Sequence, residues 1–403
     1  MFGKKYTQVE NKTKYKKNIL IIFFLITFIQ YYLTGVISVI PNIFNQFDDL
    51  ILIIIVSYIL ITEFKSKNKS IRIDYLLVTY LLFLSFIVNG FKITAFLMSL
   101  NDFFHFFMYY LLFSSFFKDD LKKVINFLGY FSAISTVLAL YQFLTFVPGQ
   151  DLTQRLRWDS AVGFFGGGAA NTFSIFNGIV FFIILSYRHI SLRKKIIFLL
   201  FNITGLMLGC SKMGILVFFL VFGCLIIFLG RKNKKIVCIG VMFLIILFIS
   251  MNKYFSEEFD AIKSVGDIVS GQITSTSSGR LSWVINYNYS IKDILLGDGP
   301  GQVSSFAAFR TDSDKLKSIT PDGVFGSTTE CDLITIFIEY GFVVGFLFVY
   351  LLLRNCKSRI ILFAIIYCIL VSISSRIFQV QYTSLIIGFL MCLKSCSKGE
   401  FLA

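Results

Sequence analysis

Long runs of apolar residues recur along the whole chain and constrain its fold more than any other feature. A helix needs about 20 apolar residues to cross a hydrocarbon core of about 30 Å, and these runs approach or reach that length. Apolar residues make up 56% of the chain and charged residues only 15%, so a soluble domain could not bury them all. The sequence therefore predicts an all-α integral membrane protein with about twelve transmembrane helices. The predicted spans are residues 18–40, 49–62, 73–91, 94–117, 124–147, 168–187, 195–210, 213–230, 236–251, 332–353, 359–375 and 379–393.

Lys and Arg are concentrated in every second connection between these runs. Because cytoplasmic loops of membrane proteins collect positive charge, this alternation places both termini in the cytoplasm. It also explains the net charge of +15 without nucleic acid as a partner, since the long connection 252–330 holds seven basic against ten acidic residues. The basic segments are the lysine-rich start, 65–72, 118–123, 188–195, 231–235, 354–359 and the tail with Lys394 and Lys398.

Two predicted outer connections, 148–167 and 252–330, are longer than turns, within what we interpret as one polytopic domain, 1–403. In the longer one, apolar residues at helical spacing predict an amphipathic interfacial helix. SGRLSWVINYNYSI predicts a second helix, N-capped by Ser277 or Ser278, and LLGDGPGQ a Gly-Pro turn. The first helix is indicated by Phe255, Phe259, Ile262 and Val265.

Both tryptophans of the chain lie beside arginines on the predicted outer side. Arg280 and Trp283 are three residues apart and share a helix face, and Trp158 follows Arg157. An arginine fork next to an indole suits a phosphate beside a sugar ring. The alternative is an interfacial tryptophan anchor with a snorkelling arginine.

Further charged residues stand at outer turns between apolar runs. Lys212 and Arg376 are candidates for anion binding, because a cation between apolar helices has a high free energy unless an anion pairs with it. The alternative is that both side chains are simply solvated. Glu330, Asp332 and the deeper Glu339 are candidate acid–base groups.

The sequence context argues against several other kinds of site. Asp102 and His105 form a polar pair inside the fourth span, for which a structural hydrogen bond is favoured over a functional role. The eight cysteines occur singly, without CxxC pairs or nearby histidine, which argues against a disulfide framework and a zinc site. Gly166–Gly168 lack the strand-then-helix context of a nucleotide site. The first apolar run is too long for a signal peptide and no A-x-A site follows it, so we expect no cleavage.

Four stretches in a fixed order carry a family resemblance. SGRLSW is followed by ILLGDGPGQ in the long loop; RWDSAVGFFGGGAANTF and GLMLGCSKMGILVFFLVF precede it, and CDLITIFIEYGFVVGFLFVYLLL follows it. In this order and topology they resemble the motifs of O-antigen polymerases (Wzy) and O-antigen ligases. Three departures matter. Lys212 stands where many members have arginine, Asn171 alone represents their Pro-Asn, and Glu330 or Asp332 lies where ligases carry histidine. The last departure favours the polymerase.

The resemblance implies a GT-C-like fold and a glycosyltransferase on the outer face of the bacterial inner membrane. A glycan on undecaprenyl pyrophosphate would be passed to the next lipid-linked repeat unit, for capsule or lipopolysaccharide. It implies no metal or other cofactor. The implied partners are lipid-linked oligosaccharides, membrane lipids and a chain-length regulator protein. The implied catalytic residues are Glu330, Asp332 and Arg280, and the implied substrate-binding residues are Arg157, Trp158, Lys212, Trp283, Arg310 and Arg376.

Three other functions compete with this interpretation. A ligase would move finished glycan to a different acceptor. A transporter or lipid-linked oligosaccharide flippase usually shows two related halves and helices interrupted by glycine or proline, whereas this chain has four prolines and no visible repeat. A purely structural scaffold gives no reason for Arg280 and Lys212 to stand on one side.

Overall fold

The computed structural model describes residues 105–115, 120–146, 160–165, 170–229, 290–303 and 331–394, together with Ile54, Ser57 and Phe401. The predicted spans 18–40, 73–91 and 236–251 lie outside these residues, as do most of 49–62 and the first part of 94–117. The greater part of the 252–330 loop also lies outside them, including its first predicted helix and all of the second except Ser290 and Ile291. At that end the structure differs from the prediction, because Ser290 is extended and caps a separate short helix, Ile291–Leu296.

The described ranges are helical and contain no strand; the one β-like pairing in them is an isolated bridge between Tyr187 and Phe401. Seven of the helices match predicted spans to within three residues at each end. In chain order the helices are α1 (105–115), α2 (Leu121–Thr145), α3 (Ala170–Ser186), α4 (Leu192–Leu208), α5 (Lys212–Leu229), α6 (Ile291–Leu296), α7 (Asp332–Leu353), α8 (Arg359–Ser372) and α9 (Gln381–Lys394).

Three of these helices, α2, α5 and α7, are long and apolar enough to cross a membrane. Helices α3, α8 and α9 are apolar but shorter. The described part of the chain is therefore an all-α assembly typical of a membrane protein.

Helix α2 has two faces that differ in burial. One face packs into the core, and the other exposes a continuous apolar stripe at spacings of three and four residues. Such a stripe would be a liability in water, whereas in a bilayer it faces lipid. The exposed residues are Phe127, Tyr130, Ile134, Val137, Tyr141 and Leu144, and the buried ones include Val124, Ile125, Leu128, Ser132, Ser135 and Ala139.

Close contacts between helices depend on small residues at the crossings. A Cβ on Gly178 of α3 would lie 2.5 Å from the Tyr367 hydroxyl of α8. A Cβ on Gly205 of α4 would lie 2.6 Å from Thr136 Oγ1 of α2. Because lipid tails are as apolar as side chains, van der Waals packing of this kind supplies much of the helix association in a bilayer.

One end of the bundle, here named the basic end, gathers the positively charged connections. The Lys194 amine lies 4.4 Å from the ring centre of Tyr130, joining the start of α4 to the first half of α2. The Arg359 guanidinium lies 4.8 Å from the ring centre of Phe228, joining the start of α8 to the end of α5. The basic residues near this end are Lys122, Lys123, Arg188, Arg193, Lys194, Lys195, Arg354, Lys357, Arg359 and Lys394.

Lys394, the last residue of α9, connects α9 to α7 at the basic end. Its amine donates hydrogen bonds to the carbonyl oxygens of Leu351 (2.6 Å) and Leu352 (3.4 Å). A cation at the end of a helix satisfies carbonyl groups that have no helical partner and interacts favourably with the helix dipole. In the nearby turn, burial raises the pKa of the Cys356 thiol to about 11, so this thiol stays protonated at neutral pH.

Candidate functional site

The opposite end of the bundle, here named the loop end, carries the turns of the predicted site. It comprises residues 160–165, the turn 209–211 and the turn 373–380, with the start of α7 beside them. The glycine-rich segment 297–303 lies further along α7. Of the predicted site residues, Asp332, Glu339, Lys212 and Arg376 lie in the described ranges. Asp332, Lys212 and Arg376 are at the loop end, and Glu339 lies further along α7.

Helix α7 is broken at Gly341, where φ is +79° and ψ is +169°, a conformation that essentially only glycine adopts. A break inside a membrane helix leaves carbonyl groups without helical donors, and other groups must satisfy them. The glycine-rich segment does so. The Asp298 N–H donates to the Ile338 carbonyl at 3.0 Å, and the Gly299 N–H donates to the Glu339 carbonyl at 2.9 Å.

Two glycines make this close approach possible. Gly297 has φ +74° and ψ +176°, which again suits glycine alone. A Cβ on Gly297 would lie 2.4 Å from the Glu339 carbonyl oxygen. A Cβ on Gly341 would lie 2.5 Å from the Leu295 carbonyl oxygen. The backbones at Gly297 and Gly341 therefore approach so closely that neither residue can carry a side chain.

The side chain of Glu339 fixes the far end of the same segment. It is fully buried, and its Oε1 accepts a hydrogen bond of 2.8 Å from the Val303 N–H. Helix α6, which precedes the segment, has a capping box between Ser290 and Asp293 at its N-terminus. Segment 297–303 and residues 338–341 together are named the clamp.

Asp332, the first residue of α7, holds the turn between α8 and α9. Its carboxylate is buried, and Oδ2 accepts hydrogen bonds of 2.5 Å from the N–H groups of both Ile377 and Phe378. The neighbouring Arg376 is partly buried and lies close enough for its charge to act on this carboxylate. Within the described ranges, no hydrogen-bond donor reaches the second carboxylate oxygen, Oδ1. The structure thus brings together two of the predicted site residues, Asp332 and Arg376.

The turn 373–380 also packs against a cluster of aromatic side chains. The ring centre of Phe378 lies 5.3 Å from that of Phe106 and 5.1 Å from that of Phe348. Phe106 and Phe348 are themselves 5.7 Å apart in an edge-to-face arrangement. The turn is therefore fixed both by the Asp332 carboxylate and by packing on α1 and α7.

Segment 160–165 is held against α2 by two polar side chains. Gln142 Nε2 donates to the Gly163 carbonyl at 3.0 Å, and its Oε1 accepts from the N–H groups of Val162 (3.2 Å) and Gly163 (2.8 Å). Ser135 Oγ accepts from the Phe164 N–H at 3.2 Å. These bonds satisfy a tight turn in which Gly163 has φ +59°.

The segment also reaches α9, because the ring centre of Phe165 lies 4.3 Å from that of Tyr382. Since Tyr382 follows the turn that Asp332 anchors, the motif segment before α3 and the turn before α9 lie side by side.

Lys212 begins α5 on a separate hairpin of the loop end. The turn before it packs against the start of α3, where a Cβ on Gly209 would lie 2.5 Å from the Ala170 carbonyl oxygen. Ser211 Oγ accepts from the Gly214 N–H and caps α5. Lys212 is exposed, and no carboxylate in the described part of the chain pairs with it. Its charge is accessible to solvent or to an anionic ligand, so both sequence interpretations remain open.

The remaining predicted site residues lie outside the described residues: Arg157, Trp158, Arg280, Trp283, Arg310 and Glu330. Asp102 does as well, so its pairing with His105 stays a prediction. His105 is buried and stacks on Tyr109, with ring centres 4.9 Å apart.

Sequence reasoning missed Gln142 and Ser135, and it considered Glu339 only as an acid–base group. A signal for Gln142 exists, because it is the one strongly polar residue in the apolar stretch LALYQFLTF. Glu339 and Gly341 form a Glu-x-Gly motif within the family-like stretch CDLITIFIEYGFVVGFLFVYLLL, but nothing in the sequence identifies the loop segment that they contact.

No group of three or more His, Cys, Asp or Glu side chains that could hold a metal ion occurs among the described residues. A scan against models of known protein families finds no match. A search of curated proteins also finds no relative. The functional interpretation therefore rests on the motifs and on the geometry of the loop end.

Proposed function

We propose that this membrane protein is a polysaccharide repeat-unit polymerase of the bacterial inner membrane. It transfers a growing glycan from undecaprenyl pyrophosphate to the next lipid-linked repeat unit on the outer face. The proposal includes about twelve spans, a GT-C-like fold, the loop 252–330 outside and both termini in the cytoplasm.

The topology is supported by the basic end of the bundle. Connections 188–195 and 354–359, the start of α2 and the end of α9 come together there, as alternating charge along the sequence predicts. Because positively charged loops stay in the cytoplasm, the basic end is the inner face. The loop end then faces the periplasm, where lipid-linked repeat units are joined.

The single observation that carries the proposal is the clamp. The glycine-rich motif and the Glu-x-Gly motif, about 40 residues apart in sequence, meet backbone to backbone. Each motif alone is short. Their direct contact gives a physical reason for both to occur in one chain, and it ties the long loop to the membrane domain.

The proposed chemistry needs cations beside the leaving group. An acceptor hydroxyl attacks the anomeric carbon of the glycan, the bond to pyrophosphate breaks, and undecaprenyl pyrophosphate leaves with the electron pair. Fixed cations stabilise this charge. Arg280 is assigned the main role, with Arg157, Arg310, Arg376 and Lys212 as further phosphate contacts. Trp158 and Trp283 would cover the apolar faces of sugars.

A carboxylate takes the proton of the attacking hydroxyl, and Glu330 and Asp332 are the two candidates. Asp332 is buried, and Oδ2 already accepts two main-chain hydrogen bonds beside Arg376. We therefore assign Glu330 as the base and Asp332 as the anchor of the turn that carries Arg376.

Deleting the gene from its host tests this assignment. We expect single repeat units to accumulate on undecaprenyl pyrophosphate in the outer leaflet, because flipping continues while polymerisation stops. Radiolabelled lipid-linked glycans, separated by length and probed for leaflet, give the readout. Full-length polymer retained on undecaprenol would instead indicate a ligase, and repeat units retained on the cytoplasmic leaflet a flippase. Either result contradicts the proposal.

A further inference from the structure

Helices α2 and α4 run parallel and start side by side at the basic end. A Cβ on Gly129 of α2 would lie 2.5 Å from the ring of Phe198 of α4. Two turns further along α2, the Thr136 hydroxyl donates a hydrogen bond of 3.2 Å to the Phe201 carbonyl. Because these contacts advance along both helices in the same direction, the first turns of α2 and α4 are neighbours.

The first turns of both helices carry basic side chains and no acidic ones. Lys122 and Lys123 begin α2, and residues 193–195 (Arg-Lys-Lys) begin α4. Cations at this end of a helix interact unfavourably with the helix dipole, so the stability of the helices does not explain their position. Two of the five have other roles: Lys123 pairs with Asp120, and the Lys195 amine donates to main-chain oxygens at the end of α3.

The other three cations, Lys122, Arg193 and Lys194, pair with no carboxylate in the described part of the chain. Asp120 is the one carboxylate among the described residues from 105 to 229, and Lys123 pairs with it. The neighbouring first turns of α2 and α4 therefore carry positive charge that these ranges do not neutralise.

Two of these cations lie at the boundary between the helices. The Lys194 amine is 4.4 Å from the ring centre of Tyr130 on α2 and 5.3 Å from that of Phe198 on its own helix. Lys122 is exposed and precedes Gly129 by seven residues, which is two helical turns. It therefore lies on the face of α2 that meets α4, close to the start of α4.

From these lysines toward the loop end, the surface between the two helices is apolar and exposed. Tyr130 and Val137 are two turns apart on one face of α2, and Ile197 follows Lys194 by one turn on α4. Each of the three is more than half exposed. The α2–α4 groove, defined by Lys122, Lys194 and these three residues, thus joins a cationic end to an apolar surface.

We propose that the α2–α4 groove binds one anionic phospholipid. Its phosphate diester lies between the amines of Lys122 and Lys194, and its acyl chains pack along Tyr130, Val137 and Ile197. Basic pockets between membrane helices recognise anionic headgroups in this way, because the charge and the acyl chains of the lipid are bound together. The proposal depends on the helices being embedded in a bilayer and not on the polymerase function.

Titration of the delipidated, purified full-length protein with lipid tests the proposal. The lipids are phosphatidylglycerol and phosphatidylcholine with identical acyl chains, and native mass spectrometry counts the bound molecules. We expect the first phosphatidylglycerol to bind wild type about tenfold more tightly than phosphatidylcholine, as two lysines beside an anionic headgroup provide. Equal affinity for the two lipids overturns the proposal.

The double variant Lys122→Gln/Lys194→Gln should bind both lipids within about twofold of each other, because the acyl-chain contacts remain and the charge is gone. Lys357→Gln/Arg359→Gln is the matched control. It removes two exposed cations from the basic end beside α8 and should retain the wild-type preference. Equal weakening by both double variants would mean that net charge alone attracts the lipid, which contradicts a defined groove.

Two further measurements cover a loss of folding and a soluble ligand. Lys122→Gln alone changes one exposed side chain and should weaken phosphatidylglycerol binding about threefold, whereas Lys194→Arg should preserve it. An unchanged affinity in folded Lys122→Gln overturns the proposal. Glycerophosphoglycerol, the same headgroup without acyl chains, should not displace the lipid at equal concentration. Displacement would identify a site for soluble phosphate diesters and would also overturn it.

Discussion

Replacing Gly341 by alanine is expected to lower the free energy of unfolding by about 4 kcal/mol and to release segment 297–303 from α7. The backbone at Gly341 has φ +79° and ψ +169°, so alanine is strained there whatever its surroundings. Its Cβ would also lie 2.5 Å from the Leu295 carbonyl oxygen and 2.7 Å from the Gly297 nitrogen, neither of which belongs to a flexible side chain. Thermal unfolding of the purified protein measures the loss.

Gly345→Ala is the matched control, because it lies one turn further along the same helix. The three atoms nearest to a Cβ added there all belong to the ring of Phe337, a side chain and not backbone, and the backbone at Gly345 is helical. We expect a smaller loss than for Gly341→Ala, about 2 kcal/mol or less. Equal losses for the two variants would show that the break at Gly341 has no special role.

Gly297→Ala should resemble Gly341→Ala, because the two glycines meet at one point. Once either residue carries a side chain, the segment has already moved away, so the second substitution has little left to disrupt. The double variant is therefore expected to cost well below the sum of the two single losses, with a coupling energy of at least about 2 kcal/mol. Additive losses would mean that the two glycines act independently.

Replacing Asp332 by alanine is expected to cost about 3 kcal/mol and to detach the turn 373–380. The substitution leaves the N–H groups of Ile377 and Phe378 buried without their acceptor, and the Arg376 cation without its neighbouring carboxylate. Thermal unfolding gives the stability loss, and polymerisation by the folded fraction should fall as Arg376 is displaced.

Asp332→Asn distinguishes an anchor from a base. Asparagine keeps an acceptor oxygen for both N–H groups but cannot accept a proton, so we expect most of the stability and measurable polymerisation to remain. Glu330→Gln should abolish polymerisation without loss of stability. Inactive, stably folded Asp332→Asn would instead assign the base to Asp332. Asp293→Ala serves as a control, since it removes a partly exposed capping carboxylate worth about 1 kcal/mol.

The helices could be predicted closely from the sequence because hydrophobic length and charge alternation are local properties. Helices α5 and α7 begin and end within one residue of the predicted spans, and charged residues mark the turns between them. The basic end follows from the same signal. Neither feature depends on knowing which helices are neighbours.

The clamp could not be predicted in the same way. A glycine inside an apolar run such as IFIEYGFVVGF is tolerated in a helix, so hydropathy does not distinguish Gly341, where α7 breaks, from Gly345, where it continues. The break becomes favourable only when the glycine-rich segment supplies donors for the freed carbonyls. Likewise, the partners of Asp332 are 45 and 46 residues away in sequence, and only tertiary packing brings them together.

The most direct test of the proposed function is polymerisation by purified protein supplied with one defined lipid-linked repeat unit and no added metal. The assay compares wild type with Arg280→Ala and with Arg193→Ala, an exposed arginine at the basic end. We predict that wild type and Arg193→Ala extend the glycan beyond one repeat. Folded Arg280→Ala should be slower by about 100-fold or more, since it lacks a cation that stabilises the leaving pyrophosphate. Wild-type chain lengths from Arg280→Ala, or no extension by folded wild-type protein, would contradict the proposed function.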